Sequence, residues 1–221
     1  MQIYRSVYGC GEAEYTVERS RFITHVSPAE TPEEARAFIA GIKEKYKDAT
    51  HNVPAFVCGA GSEHQWASDD GEPQGTSGMP VLRLLTGEGL TNVAIVITRY
   101  FGGIKLGTGG LARAYTHAAS LGIESAGICE VRESALLSYS FDYQYLSKLQ
   151  SMAEDGRFEM DGLEYTDTVS AVIKCPSENR DAVKSAVSDL TSGRAVLKNE
   201  TSAPCRYLLQ KKTDKNSQNS I

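Results

Sequence analysis

The chain has 221 residues, 41% of them hydrophobic and 23% charged, with a formal net charge of -5. That balance suits a folded globular protein of one large or two small domains. It excludes a global positive field, so any polyanion-binding surface must be a local basic patch.

The start, "MQIYRSVYGCGEAEY", lacks the basic-then-apolar pattern of a signal peptide. "EYTVERSRFITHV" (14–26) reads as strand. "TPEEARAFIAGIKEKY" (31–46) is a helix: Thr31 caps it, Pro32 suits its first position, and Glu34 completes a capping box. Ala35, Phe38, Ile39, Ile42 and Tyr46 repeat at helical spacing, so one face lies on a core. "HNVPAFVCGA" (51–60) is strand, and residues 61–79 form a long polar loop. Loops of that length are more often functional than idle. "PVLRLLTG" (80–87) is a short helix opened by Pro80 and stopped by Gly87. "NVAIVIT" (92–98) is a strand apolar on both faces, followed by a glycine-rich loop and a helix through "LARAYTHAASLG" (111–122).

A second unit opens near residue 135. Strand (135–141), helix capped by Asp142, strand (157–165), strand (168–175), helix capped by Ser177 and a last strand (194–209) follow in order. This β-α-β-β-α-β order is that of a ferredoxin-like domain. The expected division is 1–134, 135–210 and a polar, disordered tail at 211–221. The fold class is therefore α/β, more closely α+β.

Five cysteines (Cys10, Cys58, Cys129, Cys175, Cys205) are scattered and never form a CxxC pair. They fit a reducing cytosol rather than a zinc ribbon or a disulfide framework. No apolar run approaches a membrane span, and a cytoplasmic location is expected.

The loop "RYFGGIKLGTGGLARAY" (99–115) holds five glycines and three basic residues and no acid. Gly107, Gly109 and Gly110 lie where a helix begins, and unpaired N–H groups there carry partial positive charge. With Arg99, Lys105, Arg113 and the Thr108 hydroxyl they compose a candidate anion or nucleic-acid site. The spacing is neither a Walker A loop nor a dinucleotide fingerprint. The alternative is that the glycines only permit tight helix–strand packing.

"SDDGEPQGTSG" (68–78) gathers Asp69, Asp70 and Glu72. They can hold a divalent metal, exchange protons, bond local backbone as Asx turns, or pair with Arg99, Lys105 or Arg113. Metal binding is the less favoured of these, and no cofactor is implied. His51 opens a strand nearby, whereas His25, His64 and His117 are dispersed without metal-ligand spacing. Ser68, Thr76 and Ser77 lack a nucleophile-elbow setting. Trp66 is either a base-stacking surface or its own loop's anchor.

"SRFI" (20–23), "DATHNVPAF" (48–56), "SDDGEPQGTSGMP" (68–80) and "RYFGGIKLGTGGLARAY" together resemble the IMPACT family in its bacterial, YigZ-type form. The resemblance implies a first domain of the α/β sandwich type seen in a ribosomal protein, and a ferredoxin-like second domain resembling one of elongation factor G. It implies that the two loops meet on one face, with His51, Asp69, Asp70 and Glu72 supporting the anion site. Cysteine is frequent in relatives where Val53 stands here. Eukaryotic relatives regulate translation through an extra N-terminal domain to which nothing here corresponds. The expectation is a non-catalytic protein that binds RNA or the ribosome and modulates translation. The alternatives are an enzyme acting on a phosphorylated small molecule and a protein-interaction adaptor. Oligomeric state stays open.

Overall fold

The computed structural model describes residues 4–209. The expected tail at 211–221 lies outside them. The described residues divide into two units: Tyr4–Val131 together with 206–209, and Arg132–Cys205. The division falls inside strand β7 (Ile128–Phe141), as does the junction expected at 134/135.

In the first unit, strands β2 (Gly11–Val17), β3 (Ser20–Pro28), β4 (His51–Cys58), β5 (His64–Ala67) and β6 (Val93–Tyr100) form an antiparallel sheet in the order β2-β3-β6-β4-β5. Strand β1 (Tyr4–Val7) pairs with the start of β7. The stretch read as one strand at 14–26 is a hairpin, because Glu18 and Arg19 turn the chain with φ of 46° and 62°. A Glu-Arg pair carries no turn signal, so the sequence hides this corner. β5 was likewise hidden inside the polar loop.

Central strands β4 and β6 are buried on both faces, which is why neither alternates. Val53, Ala55, Val57, Val93, Ile95 and Ile97 face helices α2 (Gly78–Gly87) and α3 (Gly107–Ala126). Phe56, Cys58, Ala94 and Val96 face α1 (Pro32–Lys45). Thr31 caps α1 as expected, its hydroxyl accepting from the Glu34 N–H at 3.2 Å. α2 begins at Gly78, ahead of Pro80.

The second unit carries α4 (Leu146–Glu154), β8 (Glu159–Tyr165), β9 (Val169–Pro176), α5 (Arg180–Thr191) and β10 (Val196–Leu208). Its strand order β10-β7-β9-β8 is the ferredoxin-like arrangement. β9 alternates strictly, and Val169, Ala171, Ile173 and Cys175 share a core with Leu149, Val183 and Val187. The caps expected from Asp142 and Ser177 are absent: each precedes or opens a one-turn 3-10 segment, and neither side chain bonds a helix start.

Candidate functional site

Phe22, Arg99 and His51 are register neighbours across β3, β6 and β4. Alternation puts all three on the α3 side of the sheet. The Arg99 guanidinium lies 5.4 Å from the Phe22 ring and 5.4 Å from the Phe101 ring. The polar loop then brings Glu72 onto the same row. Its Oε1 accepts from Arg99 Nη1 at 2.6 Å and from the Tyr115 hydroxyl at 2.8 Å. Arg99 Nη2 also donates to Ser20 Oγ at 3.1 Å. Burial, then the Glu72 carboxylate, push the Tyr115 phenol far up, so it stays protonated and donates.

The three acids of the loop have three separate tasks. Asp69 ties the start of α2: its carboxylate accepts from the N–H groups of Gly75 (2.7 Å), Ser77 (3.1 Å) and Gly78 (2.9 Å), and from the Ser77 hydroxyl (2.8 Å). Burial opposes its ionisation, but these donors outweigh burial and lower its pKa. Asp70 pairs with Lys43 of α1 at 2.5 Å and accepts from the Asn52 N–H at 2.6 Å. Glu72 alone enters the row with Arg99. Of the pairings expected with Arg99, Lys105 or Arg113, only Glu72–Arg99 forms, because Lys43 is the cation that α1 presents to Asp70. Among the described residues no group of three His, Cys, Asp or Glu side chains is arranged to hold a metal ion.

His51 Nδ1 lies 2.8 Å from the Asp70 carbonyl, which can only accept. Nδ1 therefore carries the proton, and Nε2 presents a lone pair when the ring is neutral. Nε2 is 3.8 Å from Glu72 Oε2. These groups border a cavity of about 430 Å³ that is also lined by Phe101, Lys105, Gly107, Thr108 and Leu111. Beyond Lys105 and Leu106, which line both, lies a groove of about 650 Å³. Tyr15, Arg113 and His117 border that groove, with the Tyr15 and His117 rings 4.6 Å apart at 76°.

Four of the five loop glycines show different needs. A Cβ at Gly102 would lie 2.1 Å from the Arg19 backbone, so packing against the hairpin turn demands glycine. Gly107 has φ of 71°, which lets the chain turn into α3. Gly109 has no such demand: a Cβ there would meet only Arg113 Nη1, at 3.5 Å. Gly110 lies against Leu106.

Thus His51, Glu72, Arg99, Lys105, Gly107 and Thr108 share one cavity, and Lys105, Gly110 and Arg113 share the adjoining groove. Asp69 and Asp70 support the loop from outside the cavity lining. Val53 is fully buried in the core. Trp66 pairs across strands with Phe56, on the α1 side, away from the cavity row. Ser20, Lys43 and Tyr115 escaped the sequence reading. Tyr115 sits at helical spacing among core residues, and nothing local marks its hydroxyl as a partner of Glu72.

Residues 18–123 match the Impact N-terminal domain, and residues 140–194 match a domain of unknown function (DUF1949). The chain is 38% identical over 195 residues to "IMPACT family member YvyE" of Bacillus subtilis (strain 168), covering 88% of this chain and 90% of that protein. It is 37% identical over 131 residues to "IMPACT family member YigZ" of Escherichia coli (strain K12), covering 58% and 63%. A solved structure titled "Crystal structure of an hypothetical protein" aligns with a TM-score of 0.56 at 28% identity, covering 89% of this chain and 97% of that one. The motifs that build the cavity lie within the matched first domain, and the chain belongs to the IMPACT family.

Proposed function

We propose that this protein binds RNA on the face carrying the cavity and the groove, and acts on translation through that contact without catalysing a reaction. One observation carries the reading. Lys105 and Arg113 are exposed beside the start of α3, and among the described residues neither forms an ion pair. In a chain of net charge -5, unpaired cations beside free helix N–H groups are the local footprint of a polyanion site. Tyr15 and His117 add ring edges and faces of the kind on which bases pack. The resemblance of the two domains to those of a ribosomal protein and of elongation factor G, which work on the ribosome, supports the same direction. All five cysteines are free thiols, in keeping with a reducing cytoplasm.

The test is RNA affinity at several salt concentrations. Binding should weaken as salt rises, and Lys105→Ala or Arg113→Ala should each lower the salt slope by about 1. Both variants should melt as the parent does, since exposed cations contribute little to packing. Arg99→Ala is no clean probe, because it strips Glu72 of its partner. If both clean variants fold and bind RNA as the parent does, the proposal is wrong.

A second reading, an enzyme acting on a phosphorylated small molecule, draws on the fixed His51 tautomer beside Glu72. Tight binding of phosphate compounds without RNA binding would put it first.

A further inference from the structure

We infer that the RNA bound on this face is single-stranded, and that one of its bases leaves the stack and enters the cavity beside Phe101. The inference rests on the RNA reading above and narrows it to a substrate class.

Phe101 is the key residue. It is 45% exposed at the border of the cavity, yet its place is fixed. Its N–H donates to Thr50 Oγ1 at 3.1 Å, and the next N–H, that of Gly102, donates to Ser20 Oγ at 3.3 Å. The Gly102 backbone is in turn packed against that of Arg19. The ring itself lies 5.4 Å from the Arg99 guanidinium. Phe22 stands at the same distance from Arg99 and is fully buried, so the guanidinium already has one apolar cover. An aromatic ring left open on a pinned backbone is a stacking surface that needs no ordering when a base arrives.

The rest of the lining selects the same group. Pro73, Leu106 and Leu111 add apolar wall. Two polar side chains interrupt it. Neutral His51, with Nδ1 committed to the Asp70 carbonyl, presents an acceptor at Nε2. Arg99, 5% exposed, holds at Nε a buried donor without a partner. A buried donor left unpaired is costly, and an acceptor brought by a ligand would offset that. Of the parts of a nucleotide, only the base joins flat apolar faces to an edge bearing both donors and acceptors. An ionised phosphodiester has acceptors alone, and a ribose has no flat face. A volume of about 430 Å³ is that of a small-molecule site and has room for one base. Lys105 lines both the cavity and the groove, so the phosphate next to the captured base meets a cation there. The strand then continues past Tyr15, Arg113 and His117. Bases in an RNA duplex stay paired and stacked, and only an unpaired one can be splayed out in this way.

A free nucleoside carries the same base, so the experiment separates the two sources. With the full chain, affinities are measured for one short RNA as a single strand, as a duplex with its complement, and as an abasic strand that keeps every phosphate. Free nucleosides serve as competitors. The intact strand should bind about tenfold tighter than the duplex or the abasic strand at the same salt, the size expected of one stacked base. Intact and abasic strands should share one salt slope, because a base releases no counterions. Phe101→Leu keeps an apolar cover over Arg99 but removes the π-face. It should bring the intact strand down to the affinity of the abasic one, with salt slope and melting unchanged. A ring that merely shields Arg99 would lower the melting point and leave the preference for intact strand in place. The comparisons on the parent protein need no variant, so unfolding of Phe101→Leu would not spare the inference. If intact, abasic and duplex RNA bind equally, or if folded Phe101→Leu preserves their differences, base capture is wrong while RNA binding stands. If nucleosides bind tightly and no strand binds, both this inference and the RNA reading fall.

Discussion

Glu72 Oε1 and Arg99 Nη1 are 2.6 Å apart, and neither side chain is more than 5% exposed. A polar loop thus plants a charge opposite a strand residue in the protein interior. Two ions out of water are tolerable only with each other and with further hydrogen bonds, which Tyr115 and Ser20 supply.

Glu72→Ala should therefore cost about 3–5 kcal/mol, because it leaves Arg99 charged, buried and unpaired. Replacing Glu72 and Arg99 together with apolar residues should recover much of that loss. Urea unfolding of the two single variants and the double variant measures the coupling. Independent, additive losses would show that the pair is not coupled.

The hairpin and the glycine loop make a matched prediction. Gly102→Ala drives a Cβ into the Arg19 backbone at 2.1 Å and should destabilise by about 1–3 kcal/mol. Gly109→Ala meets no such obstacle and should hold or raise stability by roughly 0.5–1 kcal/mol through helix propensity. Thermal melts of both variants decide it, and equal melting points would contradict the packing described.

Asp69 sets an acid-side dependence. Its folded pKa lies below the ordinary 3.8, since the donors at Gly75, Ser77 and Gly78 outweigh burial. Its stabilising contribution is then present above pH 3.8 and is lost as pH falls through the lower folded value. Asp69→Asn should lower stability at neutral pH, and the deficit should shrink toward pH 2 to 3. A deficit independent of pH across that range would show that charge plays no part in the cap.

His25 governs a milder range. It is 5% exposed, with Nδ1 3.2 Å from Glu12 Oε2 and its ring 4.9 Å from that of Tyr46. Burial lowers its pKa most, Glu12 works against that, and Lys45 adds to the lowering. A depressed folded value means that stability is full above about pH 6.5 and declines as pH falls through the folded pKa. His25→Gln should flatten the stability profile between pH 7 and 5. An unchanged slope in denaturant titrations would rule out His25 as its source.

The sequence by itself determined the helices, most strands and the β-α-β-β-α-β order of the second unit. Those rest on periodicity and, in α1, on a cap, both of which are local: Thr31, Pro32 and Glu34 open α1 from within its own segment. The glycine loop and the carboxylate loop were also legible, since their composition departs from that of an ordinary connection. Tertiary structure alone decided what each charge does. Arg99, Lys105 and Arg113 look alike along the chain, yet sheet register buries Arg99 against Phe22 and leaves the other two in solvent. Asp69, Asp70 and Glu72 are near neighbours in sequence, yet Asp70 and Gly71, with φ of 47° and 86°, turn the chain so that the three point to different partners. Pairing of charges depends on distance and desolvation across elements far apart in the chain, and no local pattern encodes either.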